Sequence, residues 1–167
     1  ILNYPHLVDD YIKKTSMVDD NYFLSLNSAF FSDGFVLIVD DNIDVQTPIE
    51  IIFIGESIDN PLFVHPYSLL VVGMQSSVTI IEKHFSKASN SFFSNPMTTI
   101  SLKKSASLKH YKLPAEDLNS YHISNIYSDL QSSSSYEFFL LSIGSLLSRN
   151  TIISNLQGNQ AKSNINS

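Results

Sequence analysis

A repeat of short strand-forming runs constrains the fold of this chain more than any other feature. From residue 34 onward, runs rich in β-branched and aromatic residues follow small polar bends. The strand starts recur after 29, 30, 28 and 26 residues, at Ile49, Val78, Leu108, Tyr136 and Lys162. Such a period is typical of a solenoid, in which each strand pairs with its equivalent one coil further on. The repeat favours a parallel β-helix with coils of about 28 residues, and a β-sandwich is the alternative.

The N-terminal segment before residue 34 differs from the rest of the chain because its pattern predicts helical turns rather than strands. Short helical turns are predicted at Asp9–Lys14, and a helix is predicted where Tyr22, Leu26 and Ala29 or Phe30 share one face, with Asp19 or Asp20 as its cap. We therefore divide the chain into a helical or irregular segment, residues 1–33, and a β-helix core, residues 34–167, that is incomplete at its C-terminus. Strands are predicted at Phe35–Val39, Ile49–Ile54, Leu69–Val72, Val78–Ile81, Thr98–Leu102, Leu108–Leu113, Ile123–Tyr127, Tyr136–Leu141 and Thr151–Ile153.

Composition excludes several classes of function. The 167 residues include no cysteine, which rules out a disulfide scaffold, a thiolate metal site and a cysteine nucleophile on this chain. The formal net charge of −6 disfavours binding to nucleic acid or to an anionic membrane surface. The apolar runs are far shorter than the roughly 20 residues of a membrane-spanning helix. We expect neither a nucleic-acid partner nor a membrane.

Histidines are the most versatile candidates for chemistry. Glu82 and His84 share one face of a predicted strand, because strand side chains repeat every two residues, while Lys109 and Tyr111 lie on the face opposite His110. A metal site needs three or four converging ligands, and the sequence supplies two neighbours. We therefore interpret these residues as a polar ladder and assign no catalytic, cofactor or metal residue. Contact with iron is left open for His65, His84, His110 and His122.

Paired carboxylates occur at Asp40–Asp41 and Glu116–Asp117. Parallel β-helices often process polysaccharides with acidic residues on one exposed face, so a β-helix carbohydrate-active enzyme or binding protein of extracellular type is the alternative function. Both pairs stand in turn contexts, where Asp is favoured for local backbone hydrogen bonding. The turn interpretation is therefore preferred.

Four segments stand in an order that one family shares. They are residues 26–34 (LNSAFFSDG) with Pro48–Ile51, residues 65–72 (HPYSLLVV) with residues 78–84 (VTIIEKH), residues 108–113 (LKHYKL) with residues 121–123 (YHI), and Gly144 with residues 148–150 (SRN) and residues 156–161 (LQGNQA). Together they resemble the SufD family, and more broadly the SufB/SufD family of iron–sulfur cluster assembly proteins. Tyr67 stands where the family usually has Arg. The resemblance runs from about Tyr22 to the last residue.

The resemblance implies a right-handed parallel β-helix and a non-catalytic scaffold subunit of the SUF complex, SufBCD, that supports cluster assembly and iron acquisition. The implied partners are a SufB-type subunit, paired through the β-helices, and a SufC-type ATPase, held through a C-terminal helical region. The implied location is the bacterial cytoplasm or an organelle stroma. The absence of cysteine favours SufD, because SufB is the member expected to supply cysteine ligands. The family's late functional histidine has no counterpart in residues 1–167, so no cofactor is expected on this chain.

The two ends of the chain suggest a longer protein, because it begins at Ile1 without methionine and shows no stop signal at Ser167. The last predicted coil, Thr151–Ile165, has no polar cap after it. We therefore expect the isolated chain to form a homodimer or to aggregate through this coil.

Overall fold

The computed structural model describes residues 10–11, 21–57, 60–88 and 90–167, in which helix α1 (Tyr22–Phe30) precedes a β-solenoid of about four turns. The expected caps Asp19 and Asp20, and most of the expected turn at Asp9–Lys14, lie outside the described residues. The strands are β1 (Gly34–Val39), β2 (Ile49–Ser57), β3 (Leu62–Val64), β4 (Tyr67–Val72), β5 (Ser77–Ala88), β6 (Phe92–Ser94), β7 (Met97–Leu102), β8 (Ser107–Glu116), β9 (Ser120–Leu130), β10 (Ser135–Leu140), β11 (Ile143–Gly144), β12 (Leu147–Leu156) and β13 (Lys162–Asn166).

Every pairing between these strands is parallel, which confirms the β-helix and excludes the antiparallel sandwich. One sheet contains β1, β4, β7, β9 and β12, with β3 and β6 alongside the first half of β9. The other contains β2, β5, β8, β10 and β13, with β11 beside the end of β8. Val78 pairs with Leu108, which pairs with Tyr136. These two spacings are the ones that the sequence repeat predicted. The first and last predicted equivalences are wrong by two residues and one residue, because Ile49 pairs with Ile80 and Tyr136 pairs with Ser163.

The same corner recurs in each coil, between a strand of the first sheet and the next strand of the second. One residue there has a positive φ of 54–61° and directs its N–H along the solenoid axis to a carbonyl of the next coil, as from Gln75 to Lys104 at 3.0 Å and from Ser105 to Ser132 at 2.9 Å. The corner backbone is thus hydrogen-bonded between coils, as a solenoid requires. The corner residues are Asn42, Gln75, Ser105, Ser133 and Gln160.

The interior of the solenoid changes from apolar to polar along the strand direction. On β5 the inward side chains begin with Val78 and Ile80 and continue with Glu82 and His84, all of them buried. β8 follows the same order, and β9 runs from polar to apolar because it crosses the interior in the opposite direction. The apolar part forms the main core beside the corners. The polar part lies next to the turn between β8 and β9.

Helix α1 covers the outer face of the first sheet. The side chain of Asn21 caps the helix by accepting a hydrogen bond from the N–H of Phe23 at 3.0 Å. The predicted helix is confirmed, but its buried residues are Leu24 and Asn27, whereas Tyr22 is 88% exposed. No helix in the described part of the chain has the length and apolar character needed to cross a membrane.

Replacing Gly34 with alanine should weaken the start of the solenoid. Gly34 has a φ of 140°, and an added Cβ would lie 1.8 Å from the carbonyl oxygen of Tyr67. The Gly34→Ala variant should therefore lose about 1–3 kcal/mol of unfolding free energy in urea denaturation. The exposed Ser32→Ala variant is the control and should change little. Equal stability of the Gly34→Ala variant and the wild type would contradict this view of the first coil.

Candidate functional site

A cluster of polar side chains fills the polar part of the interior, and we call it the polar cluster. Its members are at most 5% exposed. They face inward because of strand alternation, and the parallel register sets Glu82 of β5 beside Lys112 of β8. The predicted common face of Glu82 and His84 is confirmed, as is the outward position of Lys109 and Tyr111. The cluster consists of Glu82, His84, His110, Lys112, Glu116 and His122.

Glu82 is the charged centre of the polar cluster. One carboxylate oxygen accepts from Lys112 Nζ at 2.8 Å and contacts His84 Nε2 at 2.5 Å, and the other contacts His110 Nε2 at 3.0 Å. Burial alone would raise the pKa of Glu82, but the charge of Lys112 and the two histidine hydrogen bonds outweigh it and hold this pKa well below its usual range. Glu82 and Lys112 are therefore a compensated ion pair at neutral pH. Lys112 Nζ also donates to Ser124 Oγ at 2.8 Å.

Two histidines of the polar cluster are neutral at pH 7. Burial, aided by the charge of Lys112, lowers the pKa of His84 to about 4. Burial also lowers the pKa of His122, although its hydrogen bond with Glu116 opposes that change. The two rings meet edge to face with centroids 4.9 Å apart, and Phe53 stacks on His84 at 4.7 Å. Each neutral imidazole keeps one nitrogen lone pair.

Tyr136 completes a hydrogen-bonded chain through the cluster. Its hydroxyl lies 3.2 Å from His110 Nδ1, and the other nitrogen of His110 contacts Glu82. Burial, followed by the nearby charge of Glu82, raises the pKa of Tyr136 well above its usual value. The phenol therefore stays protonated and can donate to His110, which orients the ring toward Glu82.

His84, Glu116 and His122 form a second arrangement within the cluster. One potential ligand atom from each lies within 4.8 Å of the other two. His122 Nδ1 is 3.1 Å from Glu116 Oε1. Among the residues that the structure describes, neither Glu116 Oε2 nor His122 Nε2 has a hydrogen-bond partner, although both atoms are buried. Two imidazoles and one carboxylate are a donor set that suits divalent transition metals.

A cavity of about 430 Å³ reaches this arrangement from the surface. His84 and Glu116 lie on its wall, while the exposed side chains of Ile54 and Phe63 lie at its outer part. His65 also lines it, and partial burial lowers the pKa of this histidine. The cavity gives small solutes a route toward the polar cluster.

The carboxylate pairs named from the sequence have different positions. The turn interpretation is confirmed for Asp40–Asp41, where the Asp41 side chain accepts from the N–H of Met74 at 2.6 Å. For Glu116 it is wrong, because the inward alternation of β8 continues to this last strand residue and buries its side chain. Asp117 is exposed at the start of the following turn. His6 lies outside the described residues.

Sequence reasoning missed the approach of Glu116 and His122 to His84. A signal was available in the repeat, because a coil of 30 residues sets Pro114 beside His84 and makes Glu116 the next inward position on β8. To predict the position of His122, the length of the turn between β8 and β9 must be known as well. That turn returns the chain so that β9 faces the end of β8 across the interior.

Breaking the buried ion pair should cost far more stability than breaking an exposed one. The Lys112→Met variant leaves the Glu82 carboxylate buried without its cation, and we expect a loss of about 3–5 kcal/mol of unfolding free energy. The matched control is Lys83→Met, which removes the more exposed pair of Lys83 with Glu50 and should cost about 1 kcal/mol or less. Urea denaturation measures both, and similar losses would contradict the assigned role of Lys112.

Acid should destabilise the metal-free protein before the carboxylates titrate. The pKa of His84 is about 4 in the folded chain, below its ordinary 6.5, so near pH 5 the unfolded chain takes up a proton that the folded chain does not. The contribution of neutral His84 to the unfolding free energy is complete above pH 6.5 and is lost as the pH falls toward 4. Between pH 7 and pH 5 we expect the unfolding free energy to fall by about 2 kcal/mol from this group alone.

The measurement is urea denaturation at pH 7, 6 and 5 with a chelator present. The groups that face His84 are Glu82, Lys112, Glu116 and His122, and the low pKa of Glu82 places its own contribution at lower pH. A His84→Asn variant should lose the part of the slope that His84 contributes, while the lowered pKa of His122 leaves a part in place. A wild-type stability that does not change over this range would rule out a neutral, buried His84.

Two curated relatives are similar in sequence to most of the chain, and a third is similar to about half of it. The chain is 26% identical to an iron–sulfur cluster assembly SufBD family protein of Synechocystis over 138 residues, which cover 78% of this chain. It is 28% identical to "Protein ABCI7, chloroplastic" of Arabidopsis thaliana over 160 residues, which cover 89% of this chain. It is 36% identical over 81 residues, 48% of the chain, to the iron–sulfur cluster assembly protein SufD of Bacillus subtilis. The matches cover 30%, 34% and 18% of the respective relatives. No solved structure matches the chain.

Two family models divide the chain between them. The SufBD protein N-terminal region matches residues 1–51. The model described as "SUF system FeS cluster assembly, SufBD core domain" matches residues 53–167, which include all of the solenoid from the middle of β2 onward. The resemblance found in the sequence is thus confirmed by an independent comparison, and the chain belongs to the SufBD family.

Proposed function

We propose that this chain is part of a non-catalytic scaffold subunit of the SUF system, which supports iron–sulfur cluster assembly and iron acquisition together with a SufB-type subunit and a SufC-type ATPase. The observation that carries the proposal is the match of the SufBD core domain to residues 53–167. Two relatives that are named as iron–sulfur cluster assembly proteins support it. The iron–sulfur cluster is then the cargo of the complex.

The absence of cysteine from these 167 residues agrees with a scaffold role beside another subunit that binds the cluster. Iron–sulfur clusters are held mainly by cysteine thiolates, and these 167 residues offer none. The proposal assigns cluster ligands of this kind to the SufB-type subunit. The proposed location is the bacterial cytoplasm or an organelle stroma, and it is supported by one relative from a bacterium and another named as chloroplastic.

The outer face of the second sheet supports association with a protein. Apolar side chains that point away from the interior are 38–77% exposed there. They lie in neighbouring coils, where Ile54 pairs with Phe85 and Tyr111 with Phe139. Contiguous exposed apolar side chains of this kind mark surfaces that are covered by other proteins.

A carbohydrate-active enzyme is not favoured. That alternative needs acidic side chains gathered along one exposed groove. Asp40 and Asp41 instead belong to the corner between β1 and β2, while Glu116 is buried at the far end of β8.

Co-purification tests the proposal. The full-length tagged protein should retain the SufB-type and SufC-type subunits of its own organism under anaerobic, reducing conditions. A deletion strain should lose activity of its iron–sulfur enzymes and regain it with the full-length gene. The control is an unrelated tagged solenoid in the same lysate. The proposal fails if neither subunit is retained and the deletion leaves iron–sulfur enzymes active.

A further inference from the structure

Three donors of the polar cluster lie close enough to share one ion. Metal–nitrogen and metal–oxygen bonds of about 2.0–2.2 Å place two ligands of one ion about 3 to 3.5 Å apart, and about 4.4 Å apart at most. The hydrogen bond of 3.1 Å between His122 Nδ1 and Glu116 Oε1 holds these two side chains together and leaves His122 Nε2 and Glu116 Oε2 as their open donor atoms. The potential ligand atoms of His84, Glu116 and His122 lie within 4.8 Å of one another, which is a few tenths of an ångström more than the largest separation that two ligands of one ion can have. Small side-chain rotations would bring all three onto one ion.

Unpartnered atoms point to a ligand at the same place. A buried polar atom without a partner loses its hydrogen bonds to water and gains none in return, so such atoms are uncommon in folded proteins. Glu116 Oε2 and His122 Nε2 are two of them among the described residues, and they belong to the same pair of side chains. Elsewhere in the polar cluster, Glu82 and Lys112 satisfy each other. Within the polar cluster, the unpartnered buried atoms are therefore those of Glu116 and His122.

Charge at the three donors favours a cation. Glu82 has the ammonium group of Lys112 at 2.8 Å. In the described part of the chain, the ion-pair contact of Glu116 is with His122 rather than with a lysine or an arginine. The charge of Lys112 also acts on His84 and His122, but Glu82 balances it, so a divalent cation would add positive charge beside Glu116.

The surroundings resemble those of working metal sites. Ligating histidines usually hydrogen-bond through their second nitrogen to a carboxylate, which fixes the ring, and the contact of His84 with Glu82 can serve this purpose. The cavity of about 430 Å³ reaches His84 and Glu116, so water can complete the coordination and an ion can enter. Two histidines and one carboxylate with open positions are the donor set of mononuclear non-haem iron(II) sites.

We propose that His84, Glu116 and His122 bind one divalent transition-metal ion, with Fe²⁺ as the ion that the donor set suits best, and that Glu82 positions His84 for this role. The cavity is the entry path for the ion. The site goes beyond the scaffold role, and its occupancy does not depend on a partner subunit.

Metal titration of the full chain tests the site. Under anaerobic conditions, Fe²⁺ and the spectroscopic probe Co²⁺ should each bind with a stoichiometry of one, and Co²⁺ should develop visible ligand-field bands. Glu116→Gln and His122→Asn should each weaken binding about 10-fold or more. At a Co²⁺ concentration roughly 100-fold above its Kd, the wild-type Tm should rise by about 5–10 °C, and a chelator should reverse the rise.

The matched control is His65→Asn, which removes a histidine from the cavity wall outside the donor set and should leave the Kd for Co²⁺ unchanged. Circular dichroism checks that each variant is folded, and the near-isosteric Glu116→Gln variant carries the test if His122→Asn unfolds. The site is refuted if the wild type binds no stoichiometric Co²⁺ or Fe²⁺. It is also refuted if His65→Asn weakens binding as much as Glu116→Gln, which would place the ion against the cavity wall beside His65 rather than at the three donors. Co-purification with SUF subunits is a separate result, so either proposal can fail alone.

Discussion

Parallel pairing between consecutive coils is the constraint on which the rest of this structure depends. Each strand hydrogen-bonds to its equivalent one coil away, so an inward position in one coil stays inward in the next. The column of Val78, Leu108 and Tyr136 follows from this register, and so does the contact between Glu82 and Lys112. The left-handed residue at four of the corners, from Asn42 to Ser133, preserves the register by donating its N–H to a carbonyl of the next coil.

The polar cluster is costly to keep inside such a stack. Replacing a buried ion pair by apolar side chains of similar volume is often neutral or stabilising, so stability alone does not explain Glu82 and Lys112. The arrangement does hold the neighbouring rings in defined positions, because Glu82 contacts both His84 and His110. A polar interior beside a cavity is better explained by binding than by folding.

Family membership and the site describe different levels of function. The SufBD match concerns the whole solenoid and associates it with cluster assembly, whereas the donor set concerns three side chains at one end of the interior. Absence of cysteine makes a thiolate-held cluster on this chain impossible, but it does not affect an imidazole and carboxylate site. The two proposals are compatible, since a subunit that associates with a cluster-building partner can also hold an ion by itself.

The sequence by itself determined the longer strands, their approximate period and the alternation of side chains, because β-branched runs and polar bends act over a few residues. The short strands β3, β6 and β11 were not predicted. The helix at Tyr22–Phe30 and the shared face of Glu82 and His84 were predictable for the same reason. Only the tertiary structure decided which residues meet His84, since Glu116 and His122 lie 32 and 38 residues further along the chain. Their approach depends on the register between coils and on the turn after β8, and a slip of one residue would point a whole strand's inward side chains outward.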